Sequence, residues 1–218
     1  MILTETYTLS NDVTIPKLGL GTWFIDDDKA AQAVRDAIEI GYRNIDTAQA
    51  YGNERGVGEG IRTSGVARDE LFISTKLAAE IKDHDAATAA IDGSLTTLGL
   101  DYIDLMLIHA PQPWEDFRGG DYAEGNREAW RALEDAYKAG KVRSIGVSNF
   151  LQSDLENIAV TSTVTPHVNQ LLVHAGTRRS SSLRIARTTG SSFRRIRRLR
   201  TGRFSTTRRC RRWPSATG

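Results

Sequence analysis

The sequence predicts an α/β protein in which short parallel strands alternate with helices. Three observations predict this class: apolar strand-like runs recur along the chain, amphipathic segments lie between them, and glycines stand where helices should end. The strand-like runs have no consistently polar face, which is typical of a parallel sheet covered by helices on its outer side.

The elements follow in chain order. The polar start YTLSNDVTIPKLGLG predicts an N-terminal β-hairpin. Six strands are expected next, at Leu18–Phe24, Tyr42–Ala48, Leu71–Leu77, Ile103–Ala110, Val142–Phe150 and His167–Val173. Helices are expected between them, at Asp28–Ile40, Asn53–Thr63, Asp85–Leu98 and Asn126–Ala139. Gly41, Gly99 and Gly140 fit the positions of C-terminal helix glycines. These elements could form either an open sheet or a closed barrel.

Composition limits the class of protein. A chain of 218 residues can form one domain with a substantial core, or a large part of a bigger one. It has no basic and apolar leader and no apolar run near the ~18 residues of a membrane span, so we expect a soluble cytoplasmic protein without membrane partners. Cys210 is the only cysteine, which excludes an internal disulfide and a thiolate metal centre, and we predict no metal site.

Charge divides the chain into two parts. Residues 1–176 contain all 27 Asp and Glu with 15 Lys and Arg, whereas residues 177–218 contain 14 Arg and no Lys, Asp or Glu. The helix and strand periods also stop near Gly176. We therefore predict a folded domain over 1–176 and a disordered Arg/Ser-rich tail over 177–218.

Unusual polar residues lie late in the predicted strands. Asp46, Lys76 and His109 stand at or near the ends of the second, third and fourth strands, and Ser148, Asn149 and Gln170 stand in the fifth and sixth. Parallel strands bring these ends to one face, which is where active sites lie in (β/α)8 barrels. The pattern favours a barrel and places the ammonium of Lys76 beside the carboxylate of Asp46.

An Asp–Lys pair at such a position can be purely structural. Tyr51 and His109 favour chemistry instead. A phenol is a weak acid near neutrality, but a neighbouring ammonium favours its ionised form and makes Tyr51 a better proton donor. The His109 ring can orient a carbonyl oxygen towards that donor. Together the four groups suit protonation of a carbonyl oxygen while hydride reaches its carbon.

The segments LGLGTW, GYRNIDTAQAYGNE, LFISTKL, DYIDLMLIHAP, GKVRSIGVSNF and VNQ occur in this order between about Tyr7 and Gly176. In this combination and order the chain resembles the aldo-keto reductases. The resemblance implies an incomplete (β/α)8 TIM-type barrel with six recognisable strands, an NADPH-dependent reaction and a small-molecule carbonyl substrate.

The same resemblance implies roles for individual residues. The catalytic group falls on Asp46, Tyr51, Lys76 and His109, with Tyr51 as proton donor. Cofactor-binding positions fall on Thr22, Trp23, Ser148, Asn149 and Gln170. The substrate pocket is expected to contain Trp23 and Trp114, although either tryptophan read alone fits a core or rim position.

Two further features are given structural interpretations. The GVGEG run at 56–60 lacks the GxGxxG spacing and does not open directly off a strand, so it is interpreted as the start of a helix with permissive glycines. His84, His167 and His174 have no ligand partners at informative spacing, and we expect structural or surface roles for them.

The sequence departs from the family pattern after Gly176. The seventh and eighth βα units, with the segment that holds the adenosine 2′-phosphate, are not recognisable there. Because barrel phosphate sites are commonly built by the loops after strands 7 and 8, we expect this chain to be weak or inactive. The first and sixth strands would also be left as sheet edges that favour association.

Two hypotheses address the tail. The first is an out-of-frame translation, because the composition changes abruptly to Arg, Ser, Thr and Gly; the other reading frames downstream of codon 176 test it. The alternative is a noncatalytic protein whose basic arm binds nucleic acid, with Phe193, Phe204 and Trp213 available for stacking on bases. Otherwise we expect only nonspecific nucleic-acid binding.

Overall fold

A computed structural model describes residues 2–172. Within this range the strands are β1 Thr6–Thr8, β2 Thr14–Pro16, β3 Leu20–Gly21, β4 Asn44–Asp46, β5 Phe72–Leu77, β6 Leu105–Ile108, β7 Ile145–Ser148 and β8 Val168–Gln170. The α-helices are α1 Asp27–Ile40, α2 Glu54–Arg62, α3 His84–Leu98, α4 Ala123–Lys138 and α5 Gln152–Ala159. Short 3-10 turns lie at Ile2–Thr4, Gln49–Tyr51, Arg68–Glu70 and Trp114–Asp116.

The strands form two sheets. The β1–β2 pair is the predicted antiparallel hairpin, and β3 to β8 form a six-stranded parallel sheet in chain order. All residues of β4 to β8 are buried, as expected for strands covered on both faces. Within the described residues β3 and β8 are paired on one side only, so the predicted edges are present.

The sheet is curved rather than flat. Gln170 on β8 donates a hydrogen bond of 2.9 Å from Nε2 to Oδ2 of Asp46 on β4. These strands are four positions apart, which would separate them by about 19 Å in a flat sheet. Two side chains cannot span that distance, so the sheet must curl towards itself as a barrel does. The barrel alternative of the sequence analysis is therefore correct, in its incomplete six-stranded form.

The observed strands are shorter than the apolar runs that predicted them. The first run, Leu18–Phe24, contains only the two strand residues of β3. Its last residue, Phe24, has φ = 66° and is 78% exposed, which is incompatible with a buried strand. The runs overestimated the strands because loop residues at the barrel mouth are apolar as well.

The four predicted helices are α1 to α4, with ends that agree within three residues. Gly41 and Gly99 adopt left-handed conformations at φ = 112° and φ = 63° and cap α1 and α3, as expected. Helix α5 was missed in the sequence. It has eight residues with an apolar side mainly of Leu155 and Ile158, too short a pattern to show a helical period.

The glycines of GVGEG are within α2, but "permissive" understates their role. A Cβ at Gly60 would lie 2.7 Å from the carbonyl oxygen of Ala31 on α1, and one at Gly56 would overlap the carbonyl oxygen of Asp27. A Cβ at Gly58 would overlap the carbonyl oxygen of Leu98 at the end of α3. The missing side chains therefore let α2 pack closely between its two neighbours.

The hairpin closes the lower end of the barrel. Leu9 and Ile15 pack on Phe72, Leu105 and Leu107, which point into the barrel near the start of their strands. The other two apolar clusters lie between the sheet and its helices. This arrangement leaves the carboxyl ends of the strands as the mouth of the barrel. No helix in the described part of the chain is both long enough and apolar enough to cross a bilayer.

Candidate active site at the carboxyl ends of the strands

The parallel register gathers the predicted polar residues at one rim. Asp46, Ser148 and Gln170 are the last residues of β4, β7 and β8, Lys76 is next to last in β5, and His109 directly follows β6. Each side chain emerges where its strand ends, so residues up to 124 positions apart meet at the mouth of the barrel.

Lys76 lies at the centre of this group, and its side chain is 1% exposed. Its Nζ donates hydrogen bonds to Oδ1 of Asp46 and, at 2.6 Å, to the carbonyl oxygen of Thr47. Asp46 also accepts the hydrogen bond from Gln170 on its other oxygen. A buried ammonium requires such partners, and the pairing predicted from the strand order is present.

Tyr51 lies beside this pair on the 3-10 turn Gln49–Tyr51. The Nζ of Lys76 is 5.1 Å from the centroid of the Tyr51 ring. The turn is fixed from behind by Gln49, whose amide nitrogen donates at 2.9 Å to the Ser94 hydroxyl and whose amide oxygen accepts at 2.8 Å from the backbone N–H of Ala78. The phenol is thereby held next to the ammonium.

An aromatic row crosses the mouth. The rings of Tyr51 and His109 meet edge to face with centroids 5.6 Å apart, and His109 meets Trp114 in the same way at 5.2 Å. On the other side, Trp23 stacks beside Tyr51 at 6.4 Å. His109 is 6% exposed, whereas Trp23 and Trp114 are 45% and 43% exposed. The two tryptophans therefore flank Tyr51 and His109 at the rim, and neither lies in the core.

A second group of polar side chains lies at the carboxyl ends of β7 and β8. Ser148 donates a hydrogen bond of 2.9 Å to the carbonyl oxygen of Gln170, and Nδ2 of Asn149 donates to the carbonyl oxygen of His109 at 3.0 Å. The side-chain oxygens of Asn149 and Gln170 accept no hydrogen bond from any described residue. They remain available as acceptors beside the His109 and Asp46 positions.

Thr22, predicted beside the cofactor, is buried beneath the rim. Its hydroxyl donates at 3.3 Å to the carbonyl oxygen of Asp46, and its own carbonyl accepts at 2.9 Å from Asn53. Its side chain therefore braces the β3–β4 junction from inside, and Trp23, the next residue, carries the exposed surface.

Sequence reasoning missed several residues that fix the site. Asn53 is fully buried and accepts a 2.8 Å hydrogen bond from the Thr47 hydroxyl, which holds the carbonyl partner of Lys76 in place. Glu54 accepts hydrogen bonds from Thr75 at 2.6 Å and Ser94 at 3.3 Å, and burial raises its pKa. Both lie at the end of the segment GYRNIDTAQAYGNE, and their place directly after Tyr51 was the signal that could have identified them.

Lys82 was also missed. Its Nζ donates to the carbonyl oxygen of Ala110 at 3.0 Å and to Oδ1 of Asn126 at 2.8 Å. Burial lowers the pKa of this ammonium to about 8. Lys82 therefore supports the chain just after His109 from the outer side.

The sequence of this chain is similar to those of known proteins. The sequence pattern of the aldo/keto reductase family matches residues 17–206. The glyoxal reductase of Bacillus subtilis is 45% identical over 173 residues, which cover 79% of this chain and 59% of that protein. The chain belongs to the aldo/keto reductase family.

Solved structures of aldo-keto reductases show the same fold. The Brucella melitensis enzyme is 41% identical with a TM-score of 0.76, over 84% of this chain and 69% of that one. An aldo-keto reductase of Bombyx mori, solved in complex with NADP, is 37% identical with a TM-score of 0.75, over 86% and 64%. The resemblance stated from the sequence and the predicted barrel fold are both confirmed.

The chain spans little more than half the length of the curated aldo-keto reductases it matches. The family match runs to residue 206 and so passes Gly176. Three expectations lie outside the described residues and stay predictions. They are the domain boundary near Gly176, the tail over 177–218 with its nucleic-acid alternative, and the structural or surface role of His174.

The remaining histidines lie away from the mouth. His84 bridges Asp85 and Asp135, each at 3.0 Å, on the outer surface of α3 and α4. His167 is buried just before β8, and its Nδ1 lies 3.0 Å from the backbone nitrogen of Ile145. Among residues 2–172 no three His, Cys, Asp or Glu side chains are grouped to hold a metal ion.

Proposed function

We propose that this protein catalyses the NADPH-dependent reduction of an aldehyde or ketone to an alcohol, with Tyr51 as the proton donor. The observation that carries the proposal is the position of the buried Lys76 ammonium, which contacts the Asp46 carboxylate and lies 5.1 Å from the Tyr51 ring. A cation beside a tyrosine suits proton donation, since positive charge favours the phenolate that donation leaves.

The reaction divides between the cofactor and the side chains. NADPH, when bound, supplies the hydride that adds to the carbonyl carbon. Tyr51 gives its hydroxyl proton to the carbonyl oxygen, and the Lys76 ammonium stabilises the phenolate that remains. Asp46 holds that ammonium in place, and His109 orients the carbonyl oxygen towards Tyr51.

The polar group at the ends of β7 and β8 fits the amide end of a nicotinamide. A carboxamide offers an N–H donor and a carbonyl acceptor. The side-chain oxygens of Asn149 and Gln170 can accept from the former. The Ser148 hydroxyl, which donates to the carbonyl oxygen of Gln170 in this structure, would have to turn its proton from that carbonyl to donate to the latter. Trp23, with Thr22 beneath it, would complete the cofactor side of the mouth.

The substrate class follows from the rim. Trp23 and Trp114 present apolar faces on both sides of the donor and suit a small-molecule carbonyl. The relative named glyoxal reductase supports glyoxal as the first compound to assay.

Cofactor binding is measured first, by titrating the full chain with NADPH and following nicotinamide fluorescence. This titration tests the expectation that the chain lacks the phosphate-binding segment: weak binding agrees with it, and tight binding contradicts it. NADH in a parallel titration tests the preference for the phosphorylated cofactor.

Activity is measured as oxidation of NADPH in the presence of glyoxal. We expect Tyr51→Phe to lower kcat by about 10²-fold or more, because the proton donor is removed while the ring remains. Tyr137→Phe is the matched control, since that ring packs on His167 away from the mouth. Residual reductase activity that survives Tyr51→Phe unchanged would exclude Tyr51 as the donor.

A further inference from the structure

Arg118 connects two sides of the barrel mouth that the sequence does not connect. It lies in the β6–α4 loop (residues 111–122), which also carries Trp114. Its Nη1 donates at 2.8 Å to Oδ2 of Asp154, near the start of α5, and its Nη2 donates at 3.0 Å to the backbone carbonyl oxygen of Asn149. The guanidinium of Arg118, on the loop after β6, therefore connects that loop to the loop after β7.

Arg118 donates to the backbone carbonyl group of Asn149, a residue with a positive φ. Asn149 has φ = 63° and Arg118 itself has φ = 71°, both in the left-handed region, which Asn adopts more readily than other side-chain-bearing residues. The backbone N–H of Asn149 donates to the carbonyl oxygen of Gln170. Its Nδ2 donates to the carbonyl oxygen of His109 and to the Ser148 hydroxyl. Its carbonyl oxygen accepts from Arg118, and this bond is the one that reaches the β6–α4 loop.

Arg118 is itself fixed within the β6–α4 loop. Its backbone N–H donates at 2.8 Å to Oε1 of Gln112, and its guanidinium lies 5.1 Å from the centroid of the Phe117 ring. The Phe117 ring stacks on Trp114 at 5.5 Å, and Trp114 meets His109. Contacts therefore run without a gap from Asn149 through Arg118 to the tryptophan beside His109.

We propose that Arg118 is a positioning residue that couples the substrate side of the mouth, at Trp114, to the cofactor side, at Asn149. Without it, the loop after β7 keeps its hydrogen bond to the carbonyl oxygen of His109 but loses the contact with residues 111–122. A ligand that orders one side then no longer orders the other. This role rests on the proposed function for its ligands, but the contact itself can be tested without them.

The chemistry of the contact requires arginine. The planar guanidinium donates to a carboxylate and a carbonyl at the same time, whereas the ammonium of a lysine is a single point of charge. Arg118→Lys should therefore restore only part of the coupling that Arg118→Gln removes. The side chain is 32% exposed, so the coupling should weaken as salt is raised.

The experiment is hydrogen–deuterium exchange on the full chain without ligand. In Arg118→Gln we expect peptides from both 111–122 and 145–151 to exchange about fivefold faster or more, because the guanidinium hydrogen bonds to Asp154 and to the Asn149 carbonyl oxygen are both lost. Arg127→Gln is the matched control, because Arg127 also donates a hydrogen bond to a residue of α5, Asn157, and not to Asn149. It should leave 145–151 unchanged.

A second measurement adds NADP⁺. In the unsubstituted chain, protection of 145–151 should extend to 111–122, and in Arg118→Gln it should stop at 145–151. Where activity is measurable, Arg118→Gln should raise the KM for glyoxal roughly tenfold and change kcat less, because the proton donor is untouched.

Two results would overturn the coupling. One is faster exchange confined to 111–122 in Arg118→Gln, which makes the residue a local brace only. The other is protection of 145–151 by NADP⁺ that spreads to 111–122 equally well in Arg118→Gln. Absence of any NADP⁺ protection in the unsubstituted chain would instead count against the proposed function, and the ligand-free comparison would still decide the role of Arg118.

Discussion

The hydroxyl of Thr75 donates a 2.6 Å hydrogen bond to Oε1 of Glu54. Thr75 lies on β5, directly before Lys76. Successive residues of a strand point to opposite faces, so Glu54 lies on the helix side of β5 and the Lys76 ammonium on the barrel side. The site is thus built in two layers, with a buried carboxylate on each side of the strand.

The buried Glu54 predicts a pH dependence of stability. Burial raises its pKa above the usual 4.5, with hydrogen bonds from Thr75 and Ser94 acting in the opposite direction. The folded state therefore binds the proton more tightly, and stability is lost as pH rises from about 4.5 through the raised value. In urea unfolding, the stability of the unsubstituted chain relative to Glu54→Gln should fall over that range.

Glu59→Gln, on the exposed side of α2, controls for the change of charge. A difference between the unsubstituted chain and Glu54→Gln that stays constant from pH 4.5 to 7 would contradict the prediction.

The glycines of two helices should respond oppositely to alanine. Gly58→Ala places a Cβ against the carbonyl oxygen of Leu98. This oxygen belongs to the backbone and can move only if α3 moves, so the substitution should lower the free energy of unfolding by about 3 kcal/mol or more. Gly93→Ala, on the exposed side of α3 with no atom within 4 Å, should stabilise by about 0.5–1 kcal/mol. Thermal and urea unfolding measure both, and equal effects would refute the packing argument.

The ion cluster at the bottom of the barrel should affect stability without affecting the site. Asp104 is fully buried, accepts a hydrogen bond from the backbone N–H of Ile73 at 2.9 Å, and pairs with Arg68 and Arg143 at 2.7 and 2.9 Å. Asp104→Asn should destabilise by about 1.5–3 kcal/mol, because a neutral amide replaces the buried charged acceptor, while water compensates part of the loss at the Arg68 and Arg143 side chains, which are 23% and 47% exposed.

Asp92→Asn, which breaks the exposed pair with Lys141, should cost less than about 1 kcal/mol. Because Asp104 precedes β6 and lies at the end opposite the mouth, NADPH affinity measured well below the unfolding transition should be unchanged. A loss of affinity in still-folded Asp104→Asn protein would contradict this separation.

The two described histidines away from the mouth should give pH effects of opposite sign. Burial lowers the pKa of His167 below 6.5, so the unfolded state binds more protons and stability falls as the pH drops below about 6.5. His167→Asn, which keeps an acceptor for the Ile145 N–H, should reduce that loss.

Hydrogen bonds to Asp85 and then to Asp135 raise the pKa of His84, and desolvation and the charge of Arg131 oppose them with smaller effects. The contribution of His84 to the free energy of unfolding is therefore complete below about pH 6.5 and is lost as the pH rises through the raised pKa. In unfolding measurements at pH 5.5 and 8, His84→Asn should be more harmful at the lower pH. The same sign for both histidines would show that one assignment is wrong.

Part of this site could be predicted from the sequence because it depends only on strand order. Asp46 and Lys76 end neighbouring parallel strands, so their contact follows once the strands are recognised. The contact of Gln170 with Asp46 depends on how strongly the sheet curves, which no local pattern encodes. The expected role of Gln170 beside the nicotinamide therefore did not include its bond to the carboxylate.

Other features could not be predicted because they depend on contacts between residues that are far apart in the sequence. Arg118 lies in a polar loop and has meaning only through the backbone of Asn149, 31 residues later. Glu54 reads as an ordinary first-turn acid of a helix, and only burial against Thr75 distinguishes it. The glycines of α2 looked like flexibility because a missing side chain does not reveal what occupies its place.

Helix α2 is held on both flanks by backbone carbonyl groups that occupy the space where its side chains would be. It can therefore neither rotate nor slide by one residue without collision. For protein engineering, α1, α2 and the last turn of α3 form a single exchangeable cassette. A chimera that takes one of them from a relative with different small residues must take the other two as well.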